Sequence, residues 1–320
     1  MTDNAGRSGS SWVGPGVLLV VATAVISGCS TFLNAYAVQG TSSAAFVTVR
    51  NVAVAAILVP IAGVVLWRAR SRPSAKEIGT LAVIGLVGGA IPFLLFFRGI
   101  QLATEAHGAL TASFVYRTLF LFATVFGIVA LHERFRPRLA AAAALVLGGN
   151  LLLLSLVSPI WTDGSLYVLV ATVLWAAEYT ISKRVLRTLR GTTVALGRMG
   201  FGAVFLSVYL AATGGWSVVA AYGPPQWTWV LISGALLTGF VLTWYTGLAR
   251  VDLGVATTVL VLAFPISWAL GVVATGAPVP PATVFGAAVI AVGVLLALGT
   301  GALRATWTYL ARRAPAPVLT

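Results

Sequence analysis

Charged side chains are scarce in this sequence. They make up 8% of its 320 residues, whereas a soluble domain carries about 25%. Acidic residues are the rarest, with 7 in the whole chain. Hydrophobic residues make up 59%, and the mean hydropathy is +0.99. A globular core of this length cannot hide so much apolar surface from water. The composition therefore excludes a soluble protein and predicts an all-α protein that lies in a lipid bilayer.

Reactive and metal-binding side chains are equally scarce. The single cysteine, Cys29, excludes an internal disulfide. It ends the motif ISGC after an apolar run, as in a bacterial lipoprotein signal. Cleavage there would remove a helix that the internal repeat described below requires, so we expect Cys29 to be an ordinary buried thiol. There is no HExxH, CxxC, phosphate-binding loop or GxSxG motif. We therefore expect no enzyme activity, no metal site and no cofactor.

What the sequence has in quantity is long apolar runs. A helix that spans a bilayer needs about 20 apolar residues. Residues 1–14 are expected to form a disordered cytoplasmic N-terminus, and residues 302–320 a cytoplasmic tail. Between them we predict ten spanning helices: 15–36, 44–67, 78–97, 105–131, 137–157, 164–186, 193–213, 227–249, 254–275 and 282–301.

The basic residues fix the predicted orientation, because lysine and arginine mark the cytoplasmic side of a membrane protein. Among the connections on the opposite side, only Arg98 is basic. We therefore expect both termini to be cytoplasmic, and we read the net charge of +13 as a topology signal and an attraction to anionic lipids, with no nucleic-acid partner. The residues on the predicted cytoplasmic side are Arg7, Arg68, Arg70, Arg72, Lys76, Arg134, Arg136, Arg138, Lys183, Arg184, Arg187, Arg190, Arg250, Arg304, Arg312 and Arg313.

The two halves of the chain resemble each other. ATAVISGCSTF at 22–32 aligns with ATVLWAAEYTI at 171–181, and FRGIQLAT at 97–104 aligns with YTGLARVD at 245–252. Each half has five predicted helices, an odd number, so the second half must enter the membrane from the opposite side. Residues 15–157 and 164–301 are thus predicted to be inverted repeats, the pattern of secondary transporters, which bind substrate near the membrane midplane.

The chain resembles the EamA-type transporters of the drug/metabolite transporter superfamily. The resemblance rests on the five-plus-five repeat, on FRGIQLAT before the fourth helix, on the LHER end of that helix and on the small-residue fifth helix. It implies a basket of helices around a central cavity, and the export of amino acids or other metabolites. Related members exchange nucleotide sugars or phosphorylated sugars. The family proline in the middle of the fourth helix occurs only in the second repeat, as Pro265, and Arg117 occupies the matching place in the first.

Apart from the arginines assigned to the cytoplasmic side, three fall within predicted helices, where an arginine costs at least about 2.5–3.5 kcal/mol. Arg50 and Arg198 align with each other and lie within snorkelling reach of opposite interfaces, so we expect them to anchor helices or bond to carbonyls, or to act as gates. Arg117 lies near the midplane, beyond such reach. We expect it to face a central cavity and to bind an anionic group, because its planar fork suits carboxylate or phosphate.

One acid, Glu178, also falls within a predicted helix. Two interpretations are open and compatible: Glu178 pairs with Arg117 or Arg198, or it binds and releases a proton during transport. Further residues are candidates for the cavity wall, although aromatic side chains are also common at membrane interfaces. With Arg117, they are Tyr116, Phe114, Pro265, Phe264, Trp268, Tyr179, Trp175 and Asn34.

The prediction for function is a secondary transporter, an exporter of a small metabolite with an anionic or zwitterionic group, in a bacterial inner or plasma membrane. Two other classes stay open at this point. A lipid-linked sugar flippase or scramblase would show a lateral opening lined by Arg117 and apolar residues. A membrane scaffold without transport would show Arg117 bonded to Glu178 and no cavity.

Overall fold

The computed structural model describes residues 5–37, 41–69, 73–154, 159–276 and 278–312, and it contains no strand within those ranges. A π-helical segment, Gly85–Ala90, joins the third and fourth helices. The α-helices are α1 Ala5–Ala37, α2 Ser43–Ala69, α3 Ala75–Ile84, α4 Ile91–Glu105, α5 Ala109–Arg117, α6 Leu119–Leu131, α7 Pro137–Leu153, α8 Asp163–Val185, α9 Gly191–Ala212, α10 Trp216–Ala220, α11 Pro224–Leu248, α12 Leu253–Leu260, α13 Ala263–Thr275 and α14 Pro281–Ala311.

Nine helical spans in the described part of the chain are long and apolar enough to cross a membrane. The remaining predicted segment, 137–157, corresponds to α7, which is apolar but only 17 residues long. Its predicted end falls within residues 155–158, which lie outside the described residues. The chain is thus a multi-pass membrane protein. The nine spans are Val13–Asn34, Ser43–Arg68, Ala75–Glu105, Thr111–Leu131, Asp163–Val185, Gly191–Ala212, Pro224–Leu248, Leu253–Thr275 and Pro281–Ala311.

The fourth predicted helix of each half is broken near its middle. The predicted helix 105–131 is interrupted at Thr118, between α5 and α6. The predicted helix 254–275 is interrupted at residues 261–262, between α12 and α13. Pro265 explains the second break, since it has no amide hydrogen for the Val261 carbonyl. That carbonyl accepts a hydrogen bond from the amide of Phe264 at 3.0 Å. The first break has no proline, and there the Thr118 hydroxyl donates to the Val115 carbonyl at 2.6 Å.

The helix ends differ from several predicted bounds. α1 begins at Ala5, within the N-terminal stretch that we predicted to be disordered, because extending an existing helix is far easier than starting one. The third spanning segment continues to Glu105, so Arg98 lies within α4 and not in a connection. α14 continues to Ala311 past a kink at Gly299, where φ is 68°. Residues 313–320 of the predicted tail lie outside the described residues.

Helices of the first half pack on helices of the second. Such pairs include α1 with α11, α2 with α9, α4 with α8, α6 with α12 and α7 with α14. Exchanging the two halves leaves these five pairs unchanged, whereas the packing of α1 on α14 has no counterpart of similar extent between α8 and α7. Small residues allow the close approach. A Cβ on Gly99 of α4 would lie 2.8 Å from the Gly164 carbonyl oxygen of α8, and a Cβ on Gly149 of α7 would lie 2.7 Å from the Gly286 carbonyl oxygen of α14.

Candidate functional site

A cavity of about 420 Å³ lies between the two halves of the bundle. It is placed toward the ends at which α1 and α4 terminate. Its wall combines aromatic rings, hydroxyl groups and three arginines. The lining residues are Ser27, Ser30, Thr31, Asn34, Arg50, Phe93, Phe96, Phe97, Ile100, Ser113, Tyr116, Arg117, Trp175, Tyr179, Arg198, Leu237, Phe240 and Phe264.

One side of the cavity is a polar stripe on α1. Ser27, Ser30, Thr31 and Asn34 stand at positions i, i+3, i+4 and i+7, which lie on one face of a helix. The Asn34 side-chain Nδ2 donates to the Ser30 hydroxyl at 3.2 Å, and the Ser233 hydroxyl of α11 donates to Asn34 Oδ1 at 2.7 Å. We predicted Asn34 alone, although the spacing in the sequence was a signal for the whole stripe.

Another part of the cavity wall is a cluster of aromatic rings. Phe96 of α4, Tyr116 of α5 and Trp175 of α8 have their ring centroids 4.8–5.5 Å apart. Phe264 of α13 joins the cluster through Tyr116, at 5.8 Å. Phe93 joins it through Trp175, at 5.4 Å. The run FLLFF at 93–97 supplies three of the lining residues, and its phenylalanines were not among the predicted site residues.

Arg117 ends α5 at the helix break and reaches the cavity with few protein partners. Its Nη1 donates to the Asn150 Oδ1 of α7 at 3.3 Å, and its guanidinium lies 4.3 Å from the Phe264 ring centroid. The Nε of Arg117 is buried without a hydrogen-bond partner among the described residues. No carboxylate in the described part of the chain forms an ion pair with it.

Arg198 is held differently, inside a network at the base of the cavity. Its Nη1 lies 3.7 Å from Glu178 Oε2 and donates to the Tyr245 hydroxyl at 3.2 Å. The Tyr245 hydroxyl in turn donates to Glu178 Oε1 at 2.7 Å, and the Ser182 hydroxyl donates to the same oxygen. Glu178 is fully buried, and Arg198 is 3% exposed. The partner of Glu178 is therefore Arg198, and not Arg117.

The π-helical segment supplies carbonyl groups to this network. The Gly88 carbonyl accepts from Arg198 Nη2 at 3.1 Å and from the Trp175 indole at 3.0 Å. A Cβ on Gly88 would lie 2.3 Å from Glu178 Cγ, so only glycine lets Glu178 approach this far. Single π-helical turns are frequent at functional sites. They change the direction of carbonyl groups that would otherwise accept the hydrogen bonds of a regular α-helix.

Arg50 also lies in the cavity wall, 3% exposed. Its guanidinium is 5.0 Å from the Phe93 ring centroid, and that of Arg198 is 6.0 Å from the same ring. Arg50 Nη2 donates to Asn51 Oδ1 at 3.4 Å. Arg50 and Arg198 line the same cavity, where aromatic rings offer partners that lipid lacks. Arg198 bonds to a backbone carbonyl, one of the roles that we expected, and the gate role of both residues stays a prediction.

The predicted wall residues divide into two groups. Arg117, Tyr116, Phe264, Tyr179, Trp175 and Asn34 line the cavity. Phe114, Pro265 and Trp268 are not among the described lining residues. On α5 the lining face carries Ser113, Tyr116 and Arg117, and a residue at position 114 points about 100° away from that face. Pro265 shapes the helix break that presents Phe264, and Trp268, one turn further, packs against the hydrophobic core.

Charged side chains connect several helices at the opposite end of the bundle. Glu133, after α6, accepts hydrogen bonds from the first amides of α12, from Leu253 at 2.7 Å and Gly254 at 3.4 Å. Burial raises the pKa of Glu133, and these bonds partly oppose the rise. Lys183 of α8 donates to the carbonyls of Leu248 and Val251 at 2.6 and 2.7 Å. These contacts join α6, α8, α11 and α12 at this end.

The match to a family model decides the family. The model of the EamA-like transporter family matches residues 14–155 and again residues 162–299. The chain belongs to the EamA-like transporter family. This family is part of the drug/metabolite transporter superfamily, and its members are transporters and not enzymes. The twofold match also shows that the chain contains two repeats of the same family unit.

A solved structure supports the same fold. The structure, titled "Crystal structure of protein", is 19% identical in sequence and superposes with a TM-score of 0.71. The match covers 88% of this chain and 97% of the other. At this identity the likeness shows the fold alone. No curated protein matches the sequence.

Proposed function

We propose that this chain is a secondary transporter that exports a small metabolite with an anionic or zwitterionic group by alternating access. The observation that carries the proposal is Arg117. Its guanidinium reaches a cavity between the two halves with one neutral hydrogen-bond partner and no carboxylate among the described residues. A charge placed in a membrane protein at this cost is a functional-site hypothesis by default.

The competing classes receive less support. A scaffold without transport requires an Arg117–Glu178 pair and no cavity, whereas Glu178 pairs with Arg198 and the cavity is about 420 Å³. A flippase for lipid-linked sugars requires a lateral opening, and no contact described above points to one. Proton coupling through Glu178 is part of the proposal, because breaking its pair with Arg198 would leave a buried carboxylate that must take up a proton.

The proposed topology has ten spanning helices in two inverted repeats, with both termini cytoplasmic in a bacterial inner or plasma membrane. The cavity then opens outward, and the contacts of Glu133 and Lys183 close the cytoplasmic end. Arg134 and Val279 test this arrangement, because each follows the fourth helix of its own repeat. In a Cys29→Ser background, a cysteine at Arg134 should be labelled only from inside, and one at Val279 only from outside. Labelling of both from one side would contradict the inversion.

Function is tested by binding and transport of defined compounds. The purified protein would be titrated in detergent with anionic, zwitterionic and lipid-linked compounds, and each ligand found would be loaded into proteoliposomes. We expect saturable efflux of an anionic or zwitterionic compound that Arg117→Gln abolishes. Arg98→Gln is the matched control, since Arg98 is exposed and contacts only Gln101 among the described residues. Efflux that is unchanged in Arg117→Gln would remove Arg117 from the site.

A further inference from the structure

We propose that the cavity selects a dianion with a flat, apolar body, in which two anionic groups stand at opposite ends of an aromatic or similarly planar core. This inference rests on the proposed function, because it names the cargo of the same cavity. It starts from the charges that the cavity leaves unbalanced.

The cavity contains more positive charge than its neighbours neutralise. Three guanidinium groups line it, and Glu178 forms an ion pair with one of them, Arg198. Three other acids of the described chain have polar partners outside the cavity. Glu133 binds the first amides of α12, Asp252 pairs with Arg136, and Glu77 binds Ser74 and Thr188. Arg50 and Arg117 therefore remain as two positive charges without a counterion within the described residues.

The two uncompensated arginines have the same kind of bonding. Each donates one hydrogen bond to a neutral amide oxygen, Arg50 to Asn51 at 3.4 Å and Arg117 to Asn150 at 3.3 Å. In both, as in Arg198, the Nε is buried without a partner in the described part of the chain, but only Arg198 has a carboxylate counter-charge there. A guanidinium has five donors, and a carboxylate or phosphate can accept two of them side by side. Each arginine is thus prepared to receive an anionic group of a ligand.

The two arginines stand at the two ends of the aromatic cluster. Arg50 lies against Phe93, and Arg117 lies against Phe264. The cluster connects them without interruption. The consecutive ring-centroid distances are 5.4 Å from Phe93 to Trp175, 5.5 Å from Trp175 to Tyr116 and 5.8 Å from Tyr116 to Phe264.

The wall between the two charges favours a flat apolar body. Rings stack or meet edge to face with a planar ligand, and such pairs contribute beyond the apolar area that they bury. The hydroxyl stripe of α1 lines the same cavity and can bind substituents on the ligand ring. A ligand with one charge would leave one arginine without a counterion. A ligand with two charges and an aliphatic body would leave the aromatic wall unused.

Three rigid dicarboxylates test the inference by calorimetric titration of the full chain in detergent. They are benzene-1,4-dicarboxylate, naphthalene-2,6-dicarboxylate and biphenyl-4,4′-dicarboxylate, which separate the two carboxylates by increasing distances. Each is compared with its own monomethyl ester, which keeps the ring and removes one charge. Succinate tests the contribution of the flat body. For at least one spacing we expect the dianion to bind about tenfold or more tightly than its ester, the scale of one charge-assisted contact.

Two variants assign the preference to the two ends. Arg50→Gln and Arg117→Gln should each reduce the ratio between dianion and ester to about twofold or less, since one counter-charge is gone. Arg98→Gln should leave the ratio unchanged. If a glutamine variant fails to fold, the lysine variants replace it. The lysine variants keep the charge, so they should still bind the dianion more tightly than its ester. The ratio measured for the unmodified protein requires no variant.

The outcomes separate this inference from the proposed function. Equal binding of dianion and ester at all three spacings, with binding still dependent on Arg117, would overturn the dianion and leave an anion transporter. Binding of succinate as tight as that of the aromatic dianions would overturn the flat body. The proposed function itself would be overturned if no anion binds and if the binding of zwitterions and lipid-linked compounds does not depend on Arg117.

Discussion

Arg198 and Arg117 line the same cavity, and the protein treats them in opposite ways. Arg198 is enclosed by a carboxylate, a tyrosine hydroxyl and a backbone carbonyl. Arg117 has one amide oxygen and the face of a ring. A buried charge with a buried counter-charge belongs to the fold, because removing one of the two leaves the other unpaired. A buried charge without a counter-charge is available to a ligand. The difference teaches that intramembrane arginines in this chain must be sorted by their partners and not by their depth.

The largest expected effect comes from removing the partner of Arg198. Glu178→Ala leaves a buried guanidinium without its counter-charge, so we expect the free energy of unfolding to fall by about 3–5 kcal/mol. The measurement is an unfolding titration with SDS in mixed micelles. Glu105→Ala is the matched control, since Glu105 is exposed at the end of α4, and it should change stability by about 0.5 kcal/mol or less. A stable Glu178→Ala protein would break the comparison, because Arg198 would then need no counter-charge.

Removing Arg117 should affect binding and not stability. Arg117→Ala is expected to weaken an anionic ligand by about 2–5 kcal/mol, the scale for truncating one side of a buried charge pair. Calorimetric titration measures the loss, and the SDS titration should show a smaller change in unfolding than Glu178→Ala produces.

The lysine variant sharpens this second prediction. Arg117→Lys keeps the charge and loses the planar fork, so it should retain part of the affinity that Arg117→Ala loses. An Arg117→Ala protein that is destabilised as much as Glu178→Ala would place both arginines in the structural class.

The close packing beneath Arg198 gives a third, smaller effect. A Cβ on Gly88 would lie 2.3 Å from Glu178 Cγ, so Gly88→Ala must push α8 away from the π-helical segment. Overpacking of this kind costs about 1–3 kcal/mol in unfolding free energy. Gly63→Ala is the control, since a Cβ at Gly63 of α2 meets nothing within 4 Å and alanine stiffens the unfolded chain. If Gly88→Ala has the same free energy of unfolding as Gly63→Ala, Glu178 has room to move away from the added methyl group.

The smallest effect concerns Glu133, a carboxylate bound by backbone amides and by no guanidinium. Its pKa is raised by burial in the folded protein, so the folded state holds its proton to a higher pH than the unfolded state does. Its contribution is present in acid and is lost as pH rises through the raised pKa. The free energy of unfolding should therefore fall by less than about 1 kcal/mol between acidic and neutral pH because of Glu133, since solvent screens a partly exposed group. We expect Glu133→Gln to remove this fall. Equal slopes in both proteins would contradict this.

Much of the fold follows from the sequence alone. Apolar runs of about 20 residues must be helical in lipid, because no water is present to satisfy the backbone. The spacing of FRGIQLAT and YTGLARVD already showed two related halves, and the family model confirms two repeats. The break before Phe264 was likewise predictable, since Pro265 cannot donate to the Val261 carbonyl. These features depend on residues near one another in the chain, where composition and local chemistry are sufficient.

The partners of the charges were decided only in the tertiary structure. The sequence left Glu178 a choice between Arg117 and Arg198, and the packing of α8 on the glycines of the π-helical segment selected Arg198. Nothing near Arg50 in the chain shows that Phe93 will lie 5.0 Å away from its guanidinium. Such contacts join residues from different helices, and which helix faces meet depends on the summed packing of the whole bundle. Local sequence thus determined where the helices and the charges are, and long-range packing determined which charges are left for a ligand.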